Sequence, residues 1–70
     1  MNRVAIRSTS LRSVGYQASK HILELEFHNG RLYRYFRVPE AIYQAFMAAE
    51  SHGRYFNSQI RPSYSYRRIR

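Results

Sequence analysis

The segment His21-Ile22-Leu23-Glu24-Leu25-Glu26-Phe27-His28-Asn29-Gly30-Arg31-Leu32-Tyr33-Arg34-Tyr35-Phe36-Arg37-Val38 holds two strands and the turn between them. Leu23, Leu25 and Phe27 alternate with Glu24 and Glu26, the period-two pattern of a half-buried strand. Asn29-Gly30 is a strong short-range hairpin signal and joins this strand to a second one running from Arg31 to Val38. Two registers compete. A two-residue turn sets Leu25 opposite Arg34 and the two glutamates opposite tyrosines. A three-residue turn with Gly30 as the bulge residue sets Leu25 opposite Tyr33, Leu23 opposite Tyr35 and Glu24 opposite Arg34. The second pairs apolar with aromatic and acid with base, which a sheet favours by some tenths of a kcal/mol per pair. It is the register expected here. Tyr33 and Tyr35 then face the core, while Leu32, Arg34 and Phe36 form the other face.

Outward from the hairpin, Leu11 to Gln17 reads as a preceding strand, with Val14 and Tyr16 on one parity and Leu11, Ser13 and Gly15 on the other. Residues 1–10, ending in Ser8-Thr9-Ser10, read as a loop or irregular lead-in. After Val38, Pro39 suits the first position of a helix, where its missing N–H costs nothing. Ile42, Ala45, Phe46 and Ala49 follow at helical spacing, with Tyr43 and Met47 widening the stripe. Ser51-His52-Gly53 breaks the pattern. A second short helix is expected over Arg54–Ile60, ended by Arg61-Pro62. The tail from Ser63 alternates tyrosine with polar residues and finishes in Arg67-Arg68-Ile69-Arg70, as an added edge strand or a docked extended segment. The expected class is α+β: a three-stranded antiparallel meander, then two helices packed on one face, in one domain spanning 1–70.

Seventy residues bury only about 60% of the surface exposed by the unfolded chain, so the core must be compact and rich in large side chains. Seven Tyr and four Phe meet that need. The absence of cysteine removes disulfides, thiolate nucleophiles and cysteine zinc sites, and fits a reducing compartment. No run is long enough for a signal peptide or a membrane span, so a soluble cytoplasmic protein without membrane contact is expected.

Twelve Lys and Arg stand against four Asp and Glu, a net charge of +8, and eleven of the twelve cations are Arg. Guanidinium groups fork to phosphate and stack on flat rings, which points to nucleic acid, although net charge also serves solubility. Catalytic constellations are lacking. His21 and His28, seven apart on one strand, project to opposite faces. Glu24 and Glu26 share a face but are expected to pair with arginines. No serine lies in a Gly-x-Ser-x-Gly context, and no glycine-rich phosphate loop occurs. No catalytic residue, metal ligand or cofactor is assigned, and the chain reads as a non-enzyme. The binding set is Arg31, Arg34, Arg37, Arg54, Arg61, Arg67 and Arg68 for phosphate, with Tyr64 and Tyr66 for stacking on bases. RNA is favoured over DNA. The alternative is an acidic protein docked on a sheet edge or on the aromatic tail.

The order Phe27-x-Asn29-Gly30-x-x-Tyr33-x-Tyr35-x-x-Val38-Pro39, then a helix, then Gly53-x-Tyr55-Phe56-Asn57-x-x-Ile60-Arg61, resembles the KTSC domain. That short domain is named for its occurrence at the C-terminus of some lysyl-tRNA synthetases and also stands alone in bacteria. The resemblance runs from about Ile6 to Ile69, and the family's Tyr-x-Tyr hallmark falls on Tyr33 and Tyr35. It implies an RNA role through the synthetase fusion and brings no catalytic residues. Tyr33 and Tyr35 serve equally well, on this reading, as a binding pair or as a core signature.

Overall fold

The computed structural model describes residues 2–70. It contains five strands in the order β1-β2-β3-β4-β5, each antiparallel to its neighbour: β1 Arg3–Ala5, β2 Leu11–Gln17, β3 Ile22–Phe27, β4 Leu32–Tyr35 and β5 Tyr66–Arg68. Helix α1, Glu40–Ala48, and the one-turn α2, His52–Tyr55, follow β4. A π-helical turn, Phe56–Ile60, continues directly from α2. The architecture is α+β, a meander with helices after it and a short C-terminal strand.

The hairpin adopts the three-residue turn. The Phe27 N–H donates to the Arg31 carbonyl at 2.9 Å, the Gly30 N–H donates to the Phe27 carbonyl at 3.0 Å, and Gly30 takes φ +89°, which a side chain would disfavour. Leu23 lies opposite Tyr35, Glu24 opposite Arg34 and Leu25 opposite Tyr33. The register follows from the complementarity of these pairs.

Four elements depart from expectation. The lead-in is a strand: β1 pairs with β2, with Arg3 opposite Gly15. Gly15 carries no side chain, so Arg3 reaches over it to Glu24, which gives this short segment an anchor that no apolar pattern announced. In β2, the register shifts between Leu11 and Ser13, a β-bulge that rephases the strand. Leu11 thereby joins Val14 in the core despite its opposite parity in sequence. Pro39 is the N-cap, with extended backbone, and the helix proper begins at Glu40. The second helix starts early: Ser51 accepts a hydrogen bond from the Arg54 N–H, so the polar triplet at 51–53 is a cap and first turn rather than a gap.

One face of the sheet carries the core. Leu11, Val14, Leu23, Leu25 and Tyr35 pack beneath Val38, Phe46, Phe56 and Ile60. The tail forms β5 on the free edge of β4, with Tyr35 opposite Tyr66 and Tyr33 opposite Arg68. Tyr66 and Arg68 therefore project on the helix side of the sheet and Arg67 on the other.

An aromatic cleft rimmed by unpaired arginines

Because β3, β4 and β5 are neighbours in register, the rings of Phe27, Tyr33, Tyr35 and Tyr66 gather on one side of the sheet. Phe56 meets them from the π-helical turn. Phe27 and Tyr33 meet edge to face with centroids 5.6 Å apart, Phe27 and Phe56 at 5.7 Å, Tyr35 and Phe56 at 5.4 Å, and Tyr66 packs on both Tyr33 and Tyr35. Such pairs contribute about 0.5–1.5 kcal/mol each beyond burial, so the cluster is a stiff floor. Above it opens a cleft of about 290 Å³.

The rim is polar. The hairpin turn supplies Asn29 and Arg31, the π-helical turn supplies Asn57 and Arg61, and Ser10 closes the side against α2. Asn57 and Arg61, four apart, share one side of their turn, while Phe56 and Ile60, also four apart, are buried. The Asn29 side-chain oxygen accepts from the Arg31 N–H at 3.0 Å, which fixes the turn. No carboxylate lines the cleft, and neither Arg31 nor Arg61 belongs to an ion pair among the described residues. Burial pushes the Tyr35 hydroxyl above the ordinary phenol range; the phenol of Tyr66 adds to this, Arg61 opposes it, and Tyr33 adds further. Tyr35 therefore stays a neutral donor at physiological pH. Tyr66 is 59% exposed, against 4% for Tyr35, so one ring is floor and the other an open wall.

The remaining members of the sequence-derived set go elsewhere. Arg34 donates from Nε to Glu24 Oε1 at 2.9 Å on the opposite sheet face, and Arg67 stands across from it on β5. Arg54 lies exposed on α2. Arg68 projects on the cleft side, opposite Tyr33. Arg37 and Tyr64 border a second hollow at the far end of β4. Tyr33 and Tyr35 both pack against neighbouring rings, Tyr35 buried and Tyr33 half-buried, and both line the cleft. Sequence reasoning did not select Ser10, Phe27, Asn29, Phe56 or Asn57 as site residues. The signal for four of them was the motif order itself, because both halves of the pattern, Phe27-x-Asn29 and Phe56-Asn57, converge on this one cleft.

The opposite face shows what paired arginines look like. Glu24, only 3% exposed, receives Arg3 at 2.7 Å and Arg34 at 2.9 Å, and Arg70 reaches Glu26 at 3.2 Å. Burial disfavours the Glu24 charge, but the hydrogen bonds and charges of Arg34 and Arg3 together outweigh it and hold its carboxyl below the ordinary range. For Glu26 the Ser13 hydroxyl is the largest cause of a shift in the same direction.

Residues 7–64 match the KTSC domain family, a span that includes the cleft residues from Ser10 to Arg61 but not Tyr66. The chain belongs to the KTSC domain family. A KTSC domain protein from Yersinia pestis with a solved crystal structure superimposes with a TM-score of 0.93 at 36% identity, covering 99% of this chain and 97% of that one. An uncharacterized protein of Stutzerimonas stutzeri (strain A1501) is 51% identical over 99% of both chains. A lysine–tRNA ligase of Nostoc sp. is 30% identical over 84% of this chain, a match that spans 10% of the ligase. The KTSC fold thus occurs both as a free domain and as a segment of a larger protein. Among the described residues, no helix is long and apolar enough to cross a membrane.

Proposed function

We propose that this KTSC domain is a non-enzymatic module that binds single-stranded RNA, lodging one base in the aromatic cleft with its phosphate on Arg31 or Arg61. The observation that carries this reading is the pairing of an open ring cluster with two arginines that have no carboxylate within the cleft. Every base has a π-face, and stacking on an aromatic side chain is worth about 1–3 kcal/mol per base. Tyr66 offers that face, and the guanidinium groups offer forked donors to phosphate. The cleft, at about 290 Å³, sits at the lower edge of small-ligand sites, roughly 300–1,000 Å³. One nucleotide unit is the scale it fits. A π-helical turn is a costly element that recurs at functional sites, and here it places Asn57 and Arg61 on the rim. RNA is preferred over DNA because a relative of this chain is part of a lysine–tRNA ligase.

Fluorescence anisotropy with a short labelled single-stranded RNA tests this. Saturable binding is expected, weakening with salt at a log–log slope whose magnitude is at least about 0.7, the value for one neutralised phosphate. Absence of saturation, or a slope near zero, overturns it. The exposed outer edge of β5, flanked by Arg67, Arg68 and Arg70, favours a second reading, an acidic protein segment added as a strand. A co-purifying protein that stays bound at high salt is its mark.

A further inference from the structure

A second hollow lies at the far end of β4, lined by Phe36, Arg37, Ser63, Tyr64 and Ser65. Its polar groups are one guanidinium and three hydroxyls, with no carboxylate among them. Arg37 takes part in no ion pair among the described residues. It also sits at φ +59°, in the left-handed region that disfavours a side chain. Its neighbours hold it there. The Phe36 N–H donates to the Ser65 carbonyl at 2.9 Å, the Val38 N–H donates to the His21 carbonyl at 2.9 Å, and Val38 is fully buried.

Glycine fits such a position without strain, whereas a residue with a Cβ is strained there. A charged side chain kept at a strained junction, beside free hydroxyls, invites a functional explanation. The two hollows share no lining residue but are neighbours along the chain. Tyr35 and Tyr66 line the cleft on the helix side of the sheet, and the next residues, Phe36 and Ser65, alternate to the other side and line this hollow, so the two meet across the end of the β4–β5 pair.

We propose that the Arg37–Ser63–Ser65 hollow is a second phosphate subsite, which takes the phosphodiester next to the nucleotide held in the cleft. It rests on the nucleotide reading of the cleft and adds to it a minimum ligand: a strand of two or more nucleotides that passes over the end of β5. A free mononucleotide fills the cleft alone. Arg37 supplies the charge, Ser63 and Ser65 supply hydroxyl donors, and the left-handed backbone aims the group at the end of the sheet.

The test compares wild type with Arg37→Gly, which relieves the strained φ and therefore keeps the fold; an unchanged or raised Tm verifies this. Two titrations are followed by NMR. Inorganic phosphate should shift the backbone resonances of residues 63–65 and the Arg37 side-chain N–H in wild type, and leave 63–65 unmoved in Arg37→Gly. A single-stranded diribonucleotide with a 5′-phosphate should bind wild type roughly tenfold more tightly than the 5′-mononucleotide, the scale of one charge-assisted hydrogen bond. Arg37→Gly should remove that gain without changing mononucleotide affinity. Equal affinity of wild type for both ligands, or an undiminished gain in the variant, overturns the subsite. If phosphate moves residues 63–65 while neither nucleotide moves the cleft, the cleft reading fails, the phosphate hollow stands and its coupling to a nucleotide strand is overturned.

Discussion

The two faces of the sheet use arginine in opposite ways. On the face away from the helices, a row of residues crosses all five strands, Arg3, Gly15, Glu24, Arg34 and Arg67, and its centre is an almost fully buried carboxylate gripped from both sides. On the helix face, the row Tyr16, Leu23, Tyr35 and Tyr66 passes from core into cleft, and the arginines around its open end have no acid to meet. With four acidic residues for twelve cations, charge pairing is rationed by where Glu24 and Glu26 happen to lie. Arginines near them are structural. Those beside the rings, Arg31 and Arg61, are in no ion pair among the described residues.

The comparison breaks most visibly at the cleft floor. Phe56→Ala removes a ring that contacts both Phe27 and Tyr35, and urea denaturation should show a loss of about 3–5 kcal/mol. On the opposite face, Glu24→Ala strands Arg3 and Arg34, whose side chains are 31% and 43% exposed. Because both cations can turn to water, the loss should be about 1–2 kcal/mol, below that for breaking a fully buried pair. A drop as large as that of Phe56→Ala would show that the ion pairs, rather than the rings, hold the sheet.

Acid titration sharpens the same contrast. Glu24 and Glu26 have carboxyls lowered in the folded state, so the stability they contribute is fully present above the ordinary glutamate range, about 4.3, and is lost as pH falls through their folded values. Thermal melts from pH 6 downward should lose Tm in that window, and Glu24→Gln should flatten part of the slope. The smallest stability effects belong to the rim. Arg31→Ala and Arg61→Ala should stay within about 0.5 kcal/mol of wild type. Each should nonetheless weaken RNA binding, and the double variant should reduce the magnitude of the salt slope by about 0.7.

The hairpin, its register and the main helix were legible because local signals agreed: alternation, Asn29-Gly30, the cross-strand charge pair and the helical stripe all favoured one arrangement. The first strand was not. Arg3-Val4-Ala5 is exposed at the sheet edge and held by an ion pair across Gly15, a contact between residues 21 apart that leaves no periodic trace. The bulge at Leu11–Ser13 hid for a related reason, since one inserted residue breaks the parity by which strands are read. For the cleft, charge and aromatic content could be counted in sequence, but the sorting of arginines into paired and free depended on the sheet order. Arg34 shows this best: from sequence it fits both phosphate and the cross-strand Glu24, and in the structure it donates to Glu24. Arg34 and Arg67 lie on the sheet face away from the helices, whereas Arg68 projects on the helix side and Arg31 and Arg61 line the cleft.

The most direct test is a two-dimensional NMR titration of the intact chain with a short single-stranded RNA. Saturating shifts at Asn29, Arg31, Tyr33, Asn57, Arg61 and Tyr66, extending to residues 37 and 63–65, with Arg3, Glu24 and Arg34 still, are the predicted result. Shifts spread equally over both sheet faces, or none at all, would contradict the division of labour between them.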